Sequence, residues 1–298
     1  MIELSTLSPA SLWILSRFEF CQEQVRHSVK NLETAQAMDA IYRFLWDDYA
    51  SWYVEFLKTD KQDLEFAKLL FGHFVSLLSP FAPFVADSLW TDFFQNSSTL
   101  AKLEMSEIIA ELGELPKITL ENQDMEKDGN AKNLTHNLIL EFSDLVDFIR
   151  EIRSVRGLFG IDPSFKLTMW TQNMNLKKYT KFLEHIAKSE LKIEENMETQ
   201  QLNPTQNQLF EIKIGQFIAK IDLLAQITDP TKQIEKSQKE LESLEKQIKV
   251  LKNQLNNENF TKNASPEIIL DKQTNLAERQ ADLLAQQNKI QFLTMVVK

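Results

Sequence analysis

Residues 229–260 read DPTKQIEKSQKELESLEKQIKVLKNQLNNENF, and residues 261–292 continue TKNASPEIILDKQTNLAERQADLLAQQNKIQF. Ile234, Leu241, Ile248 and Leu255 recur every seven residues, with Leu244 and Leu251 at the intermediate d spacing, the seam of a coiled coil. Ile269, Leu276, Leu283 and Ile290 repeat the period. The run from Asn256 to Ala264 between them is too polar and too rich in Asn to stay helical, so two helices fold back on each other as an arm. Both open with the same grammar. Asp229 or Thr228 can cap before Pro230, and Ser265 before Pro266, with Pro at the first helical position where its missing N–H costs nothing. Gln280 and Gln287 fall at the d spacing beside Leu276 and Leu283, which predicts a polar layer that weakens the seam and fixes its register. A helix from Pro230 to about Asn256 is roughly 40 Å long, a reach suited to something large and distant.

The rest of the chain supplies a body for that arm. Its 298 residues are 43% hydrophobic, enough for two domains or one with appendages, and only 6 Gly and 8 Pro favour helices. One cysteine, Cys21, builds neither a disulfide framework nor a Cys-based zinc site. Neither a signal peptide nor a long apolar span is legible, so a soluble cytoplasmic protein is expected. The net charge of −10 argues against nucleic acid as a partner. Its distribution softens that argument. From Asp229 onward 11 Lys and Arg face 10 Asp and Glu, a net of +1, which leaves −11 on the first 228 residues.

Toward the N-terminus, Ser8-Pro9 caps a helix running to about Val29, with Leu12, Leu15, Phe18, Val25 and Val29 on one face. A second, from Leu32 to about Leu57, is so aromatic that it should sit centrally. A third spans about Asp63 to Leu78; Pro80 and Pro83 break the chain, and a fourth carries Val85, Leu89, Trp90, Phe93 and Phe94. Short connections make these an antiparallel bundle. Residue type favours core packing for Trp46, Trp52 and Trp90. His27 and His73 stand alone, without a second ligand at metal spacing, and read as structural.

Gly113 to Lys132 reads as a polar connector, and a helix then runs from about Leu134 to Phe159. Arg150, Arg153 and Arg156 lie three apart on it, either as a solvated face pairing with Glu151 and neighbouring acids or as a phosphate-contacting strip. Beyond Gly160, Phe165, Leu167 and Met169 alternate as one strand and Leu191 and Ile193 as another, with a helix from about Leu176 to Ala187 between. Phe210, Ile212 and Ile214 alternate, and Phe217, Ala219, Ile221 and Leu223 resume with opposite parity. Gly215-Gln216 at the switch suits a two-residue type II′ turn. The fold class is mainly α: an antiparallel helical bundle over 1–112, a connector, further bundle helix and small α+β module over 113–228, and a C-terminal antiparallel coiled-coil hairpin over 229–298.

Leu12-Trp13-Ile14-Leu15-Ser16-Arg17 resembles the WILSRL opening of the class I aminoacyl-tRNA synthetases for valine, isoleucine and leucine. Tyr42 to Tyr49, running on to Trp52-Tyr53-Val54-Glu55, resembles their aromatic WYLE helix, and Leu78 to Val85 with Leu89-Trp90 resembles their Pro-rich helix opening. Ala50-Ser51 stands for the usual Cys-Asp, and Ser79 for the usual His. Asp147 to Arg156 with Ile161 to Ser164, and Leu255 to Ile269, resemble segments of the valine-specific branch.

That resemblance covers essentially the whole chain. It implies an anticodon-binding bundle, with Trp52, Tyr53 and Val54 on the anticodon side. It also implies an arm that meets the tRNA elbow, for which Lys246, Lys249, Lys252, Lys262, Lys272 and Arg279 supply the cations. It implies a valine-accepting tRNA and the rest of a synthetase upstream as partners, no membrane, and a monomer. ATP and Mg would serve the whole enzyme, with no cofactor or metal held by these residues. The HIGH-like and KMSKS-like signatures of class I catalysis are not in this sequence, so this chain alone is expected to be inactive. A helix with a Lys…Asn…Arg-Phe run, which the family places ahead of the WILSRL helix, is not among these residues either. The alternatives are the same region of an isoleucine, leucine or methionine enzyme, or a protein–protein module that self-associates through its coiled coil. A single cysteine disfavours the isoleucine branch, which commonly ends in a Cys-rich zinc module.

Overall fold

The computed structural model describes residues 2–94, 100, 107, 112–118, 129–193, 209–223, 227, 229–257, 260 and 263–297. The chain divides into two compact units, Met1–Asp147 with Ile214–Gln216, and Phe148–Lys213 with Phe217–Lys298. Among the described residues no helix is long and apolar enough to cross a membrane.

The first unit is a helical bundle. α1 (Pro9–Lys30) starts where the sequence places it, with the Ser8 side chain accepting from the Ser11 N–H at 3.2 Å. Leu12, Trp13, Ile14 and Leu15 are all buried, so the WILSRL stretch is packing surface. Leu32 takes up the left-handed region at φ 61° and delays α2 (Thr34–Arg43) by two residues. α2 then widens into a π-helical segment, Phe44–Tyr53, before α3 (Val54–Thr59) resumes the tighter winding. α4 (Leu64–Leu78) and α5 (Pro83–Phe94) complete the expected order. Phe44 is the hub: its ring lies 5.1 Å from Phe18 and 5.6 Å from Phe74. α6 (Gly129–Phe159) begins about a turn earlier than expected, so part of the predicted connector is helical. The connector's 119–128 lie outside the described residues. Phe142 on α6 meets Trp13 and Phe56, each at 5.4 Å between centroids.

Three sequence expectations change. Trp52 and Trp90 are core at 4% and 0% exposure, but Trp46 is 54% exposed. It shares the solvent side of its helix with Tyr42, one turn earlier, their rings 6.3 Å apart. The apolar seats go instead to Phe44, which meets Phe18 on α1 and Phe74 on α4, and to Tyr53, which faces Ser11 on α1. Second, the arginine row of α6 is neither a solvated face nor a phosphate strip throughout. Arg156 is buried, and its guanidinium donates to the carbonyls of Asp162 (3.3 Å), Phe165 (2.9 Å), Ala187 (2.9 Å) and Lys188 (2.8 Å). Arg153 donates to the Ile186 carbonyl at 3.3 Å, while Arg150 is exposed. Third, Gln280 and Gln287 of the arm are exposed and do not enter its seam.

In the second unit the small α+β module is a four-stranded sheet ordered β2-β1-β4-β3. β1 (Leu167–Thr171) and β2 (Ser189–Ile193) pair in parallel, Met169 opposite Leu191. A 3₁₀ turn over Met174–Tyr179 and the short α7 (Thr180–Ile186) make the crossover between them, as a parallel pair requires. β4 (Phe217–Ile221) lies antiparallel to β1 and is joined to β3 (Phe210–Ile214) by Gly215-Gln216. Gly215 has φ +51° and Gln216 is not among the residues with positive φ, the pattern of the type II′ turn predicted. Phe217 packs on Phe148 and Tyr179 beneath the sheet.

Candidate nucleic-acid interface

The arm is α8 (Pro230–Leu255) and α9 (Pro266–Val297), packed along their length as the heptads predict. Asp229 caps α8, its carboxylate accepting from the Lys232 N–H at 3.0 Å, and those hydrogen bonds hold its pKa below the ordinary value. Ser265 caps α9 by accepting from the Ile268 N–H at 3.4 Å. Ile248 and Leu251 are buried, while the other seam residues, Ile234, Leu241, Leu244, Leu255, Ile269, Leu276, Leu283 and Ile290, are half-buried. Two helices alone cannot cover a seam fully, and this one depends on its root for anchorage.

At that root Phe292 makes edge contacts with Phe159 (5.7 Å) and Phe210 (5.5 Å), and Leu293 is fully buried. Lys289 donates to the Leu158 carbonyl in the last turn of α6 and lies over the Phe159 ring at 5.4 Å. Burial lowers its pKa, against the pull of Glu240. The arm is thus tied to the sheet module by an aromatic triangle and one buried ammonium. Nothing in the heptad pattern marked Lys289, because its partner carbonyl is 131 residues earlier in the chain.

The polar layer of the seam is real but differently made. Gln280 and Gln287 are exposed, contrary to the reading from spacing. The row turned toward α8 lies three residues after each member of the Ile269 row: Lys272, Arg279, Gln286 and Leu293. Leu293, buried at the root, fixes which of the two flanking rows turns inward. Gln286 donates across the hairpin to Glu240 at 2.7 Å, and Ser237 on α8 is buried in the same stretch.

The predicted elbow-side cations fall into two groups, and Lys262 lies outside the described residues. Lys246 comes together with Lys272 and Arg279 around a groove of about 390 Å³ between the two helices. Lys249 and Lys252 are exposed, and at 100° per residue they face away from that groove. Among the described residues Lys246, Lys249, Lys252 and Lys272 make no ion pair, whereas Arg279 pairs with Asp282 at 3.2 Å. The three lysines spaced by three on α8 are therefore not one strip.

On the bundle, two of the three residues expected on the anticodon side point inward. Trp52 is buried, and Tyr53 is fully buried with its hydroxyl 2.8 Å from Ser11 Oγ, a burial that pushes its pKa up. Val54 is half-exposed. The aromatic surface this helix offers to solvent is Tyr42 and Trp46, which the motif resemblance did not single out because both fit a core pattern. Asp48, on the π segment, is buried and accepts from Arg17 Nε at 2.8 Å. His73 donates from Nε2 to the Gly113 carbonyl, 2.9 Å away, as a structural histidine does. Cys21 is buried, and burial pushes its thiol up to about 12. Among the described residues no three His, Cys, Asp or Glu side chains converge as a metal site would need.

Two families of known proteins match separate segments of the chain. A family described as the anticodon-binding domain of tRNA ligase matches residues 11–169, and the valyl-tRNA synthetase tRNA-binding arm matches residues 229–291. A valine–tRNA ligase of Thermosynechococcus vestitus is 27% identical over 96% of this chain and 30% of its own length. One from Legionella pneumophila is 24% identical over 96% of the chain and 31% of its own length. One from Mycoplasmopsis pulmonis is 29% identical over 56% of the chain and 17% of its own. The chain thus spans less than a third of the length of the curated relatives it matches. Both matches fall in one chain, and the chain belongs to the anticodon-binding-domain family of tRNA ligases, in the form that carries the tRNA-binding arm and corresponds to the C-terminal region of valyl-tRNA synthetases.

Proposed function

We propose that this chain is the tRNA-recognising part of a valine–tRNA ligase, engaging a valine-accepting tRNA at both the anticodon stem and the elbow during ATP-dependent valylation. The observation that carries this reading is the pairing, in one chain, of an anticodon-binding match over 11–169 with an arm match over 229–291. Activation of valine with ATP and Mg belongs to the parent enzyme. This chain contributes binding and orientation and is catalytically silent by itself. It acts in the cytoplasm as a monomer beside the rest of the synthetase.

The arm's near-neutral charge on an acidic chain supports RNA contact there, because phosphate contact needs cations and the bundle is where the negative charge lies. The test is a fluorescence or filter titration with a valine tRNA transcript and a non-cognate tRNA, over a range of salt. Tighter binding of the valine tRNA that weakens with salt is expected. Absent binding, or equal and salt-insensitive binding of both, refutes the reading. Sedimentation should show a monomer; a dimer lost on deleting residues 229–298 would place the arm's role in self-association.

A further inference from the structure

We propose that the groove between α8 and α9 bordered by Lys246, Gln247, Gln254, Lys272, Asn275 and Arg279 is the arm's phosphate site, seating consecutive backbone phosphates of a folded RNA. The proposal rests on the tRNA-binding reading above and says which face of the arm carries it.

The polar groups that border the groove are donors, set in a mostly apolar surface. Lysine and arginine only donate, the amides can donate, and among the described residues none of the lining side chains is a carboxylate. Val250 and Leu251 form part of the apolar wall of this open groove. Arg279 spends one Nη1 contact on Asp282, and a guanidinium has further N–H groups to present. Lys272 and Arg279 lie seven residues apart, roughly 10 Å along α9, which is about three phosphates of a helical strand.

A second observation makes these positions more than solvated lysines. Lys272 and Arg279 occupy the row of α9 that turns toward α8, in line with buried Leu293, and both are half-buried. Apolar side chains in that row would give a more stable hairpin, so the cations there weaken the seam. The charge of α8 is also uneven. From Thr231 to Glu245 three lysines meet four glutamates, and from Lys246 to Asn257 three lysines meet no acid. The α8 side of the groove lies in that basic stretch, while on α9 Asp271, Glu278 and Asp282 stand near Lys272 and Arg279 in the chain.

The experiment is a salt-dependent titration of the valine tRNA transcript with the full chain and three variants. These are K246Q/K272Q/R279Q in the groove, K249Q/K252Q on the other face, and K246Q alone, each checked for helicity by circular dichroism. The groove triple variant should flatten the slope of log affinity against log salt by about two to three units and lose at least about tenfold in affinity. K249Q/K252Q should change affinity by less than about threefold. If the triple variant loses helicity, exposed Lys246 decides the matter, and K246Q must remove about one unit of slope. An unchanged slope in a folded groove variant, or a larger loss in K249Q/K252Q, overturns the groove while leaving tRNA binding intact. If the unsubstituted chain does not bind the transcript, the functional reading falls and the groove falls with it.

Discussion

Replacing Arg156 should unfold the sheet module while leaving the helical bundle folded. The guanidinium is buried and donates to four backbone carbonyls, two in the turn after α6 and two at the entry to β2. One of these belongs to Lys188, which sits in the left-handed region at φ 49° and is held there by its neighbours. Its carbonyl also accepts from the Leu167 N–H at 3.0 Å, where β1 begins. Hydrogen bonds to a charged group are worth about 1.5–3 kcal/mol each, and orphaned acceptors add a desolvation cost. The bonds share one side chain, and water can reach the outer carbonyls, so the four do not sum. Arg156→Met should then destabilise the module by about 3–5 kcal/mol. Arg156→Lys keeps the charge but not the planar fork, and should recover less than half of that. Native-state hydrogen exchange is the assay, read at the amides of β1 and β2 against those of α1 and α4. Protection should collapse in the strands and persist in the helices. A loss under about 1 kcal/mol in the strands would mean that water satisfies those carbonyls equally well, and the account of Arg156 as the module's clasp would be wrong.

Two further predictions concern the bundle. Trp52→Ala removes a buried ring and should cost about 3–5 kcal/mol, whereas Trp46→Ala, at an exposed ring, should stay within about 1 kcal/mol; urea midpoints compare the two, and equal losses would contradict their placement. His73, on α4, is half-buried beside α1 and the segment around Gly113, and that burial lowers its pKa from 6.5 despite the Gly113 hydrogen bond that favours the charged ring. The folded protein therefore takes up the proton less readily than the unfolded chain. The stability His73 contributes is present above about pH 6.5 and lost as pH falls through its folded value. Glu19, across the same pocket, is shifted upward mainly by burial and acts in the opposite direction at lower pH, with stability lost as pH rises through its folded value. His73→Gln should accordingly flatten the fall in unfolding free energy between about pH 8 and about pH 5, and a variant with the unchanged pH profile would refute the burial argument.

Much of this architecture was legible before any coordinates. The heptads of the arm, the caps at Asp229 and Ser265, the Pro-led helices and the parity switch at Gly215 are local patterns, set by residues a few positions apart. The family resemblance needed only short motifs in order. The role of Arg156, the anchoring by Lys289 and the exposure of Trp46 were not legible, for a common reason. Each depends on partners 6 to 131 residues away or on which face of a helix a neighbour covers. Spacing identifies rows on α9 but does not say which row turns inward, so by spacing alone Gln280 and Gln287 belong to a seam that they do not enter.

The sequence alone therefore determined that the chain has a bundle, a module and a hairpin arm, because periodicity and capping act through the chain's own neighbours. Tertiary packing alone decided which cations share a face. Lys246, Lys249 and Lys252 are equivalent as letters three apart, but the partner helix stands on one side only. It brings Lys272 and Arg279 beside Lys246 and leaves Lys249 and Lys252 facing elsewhere. A charge gains its meaning at a surface from what stands opposite it, and that is set by the fold of the hairpin.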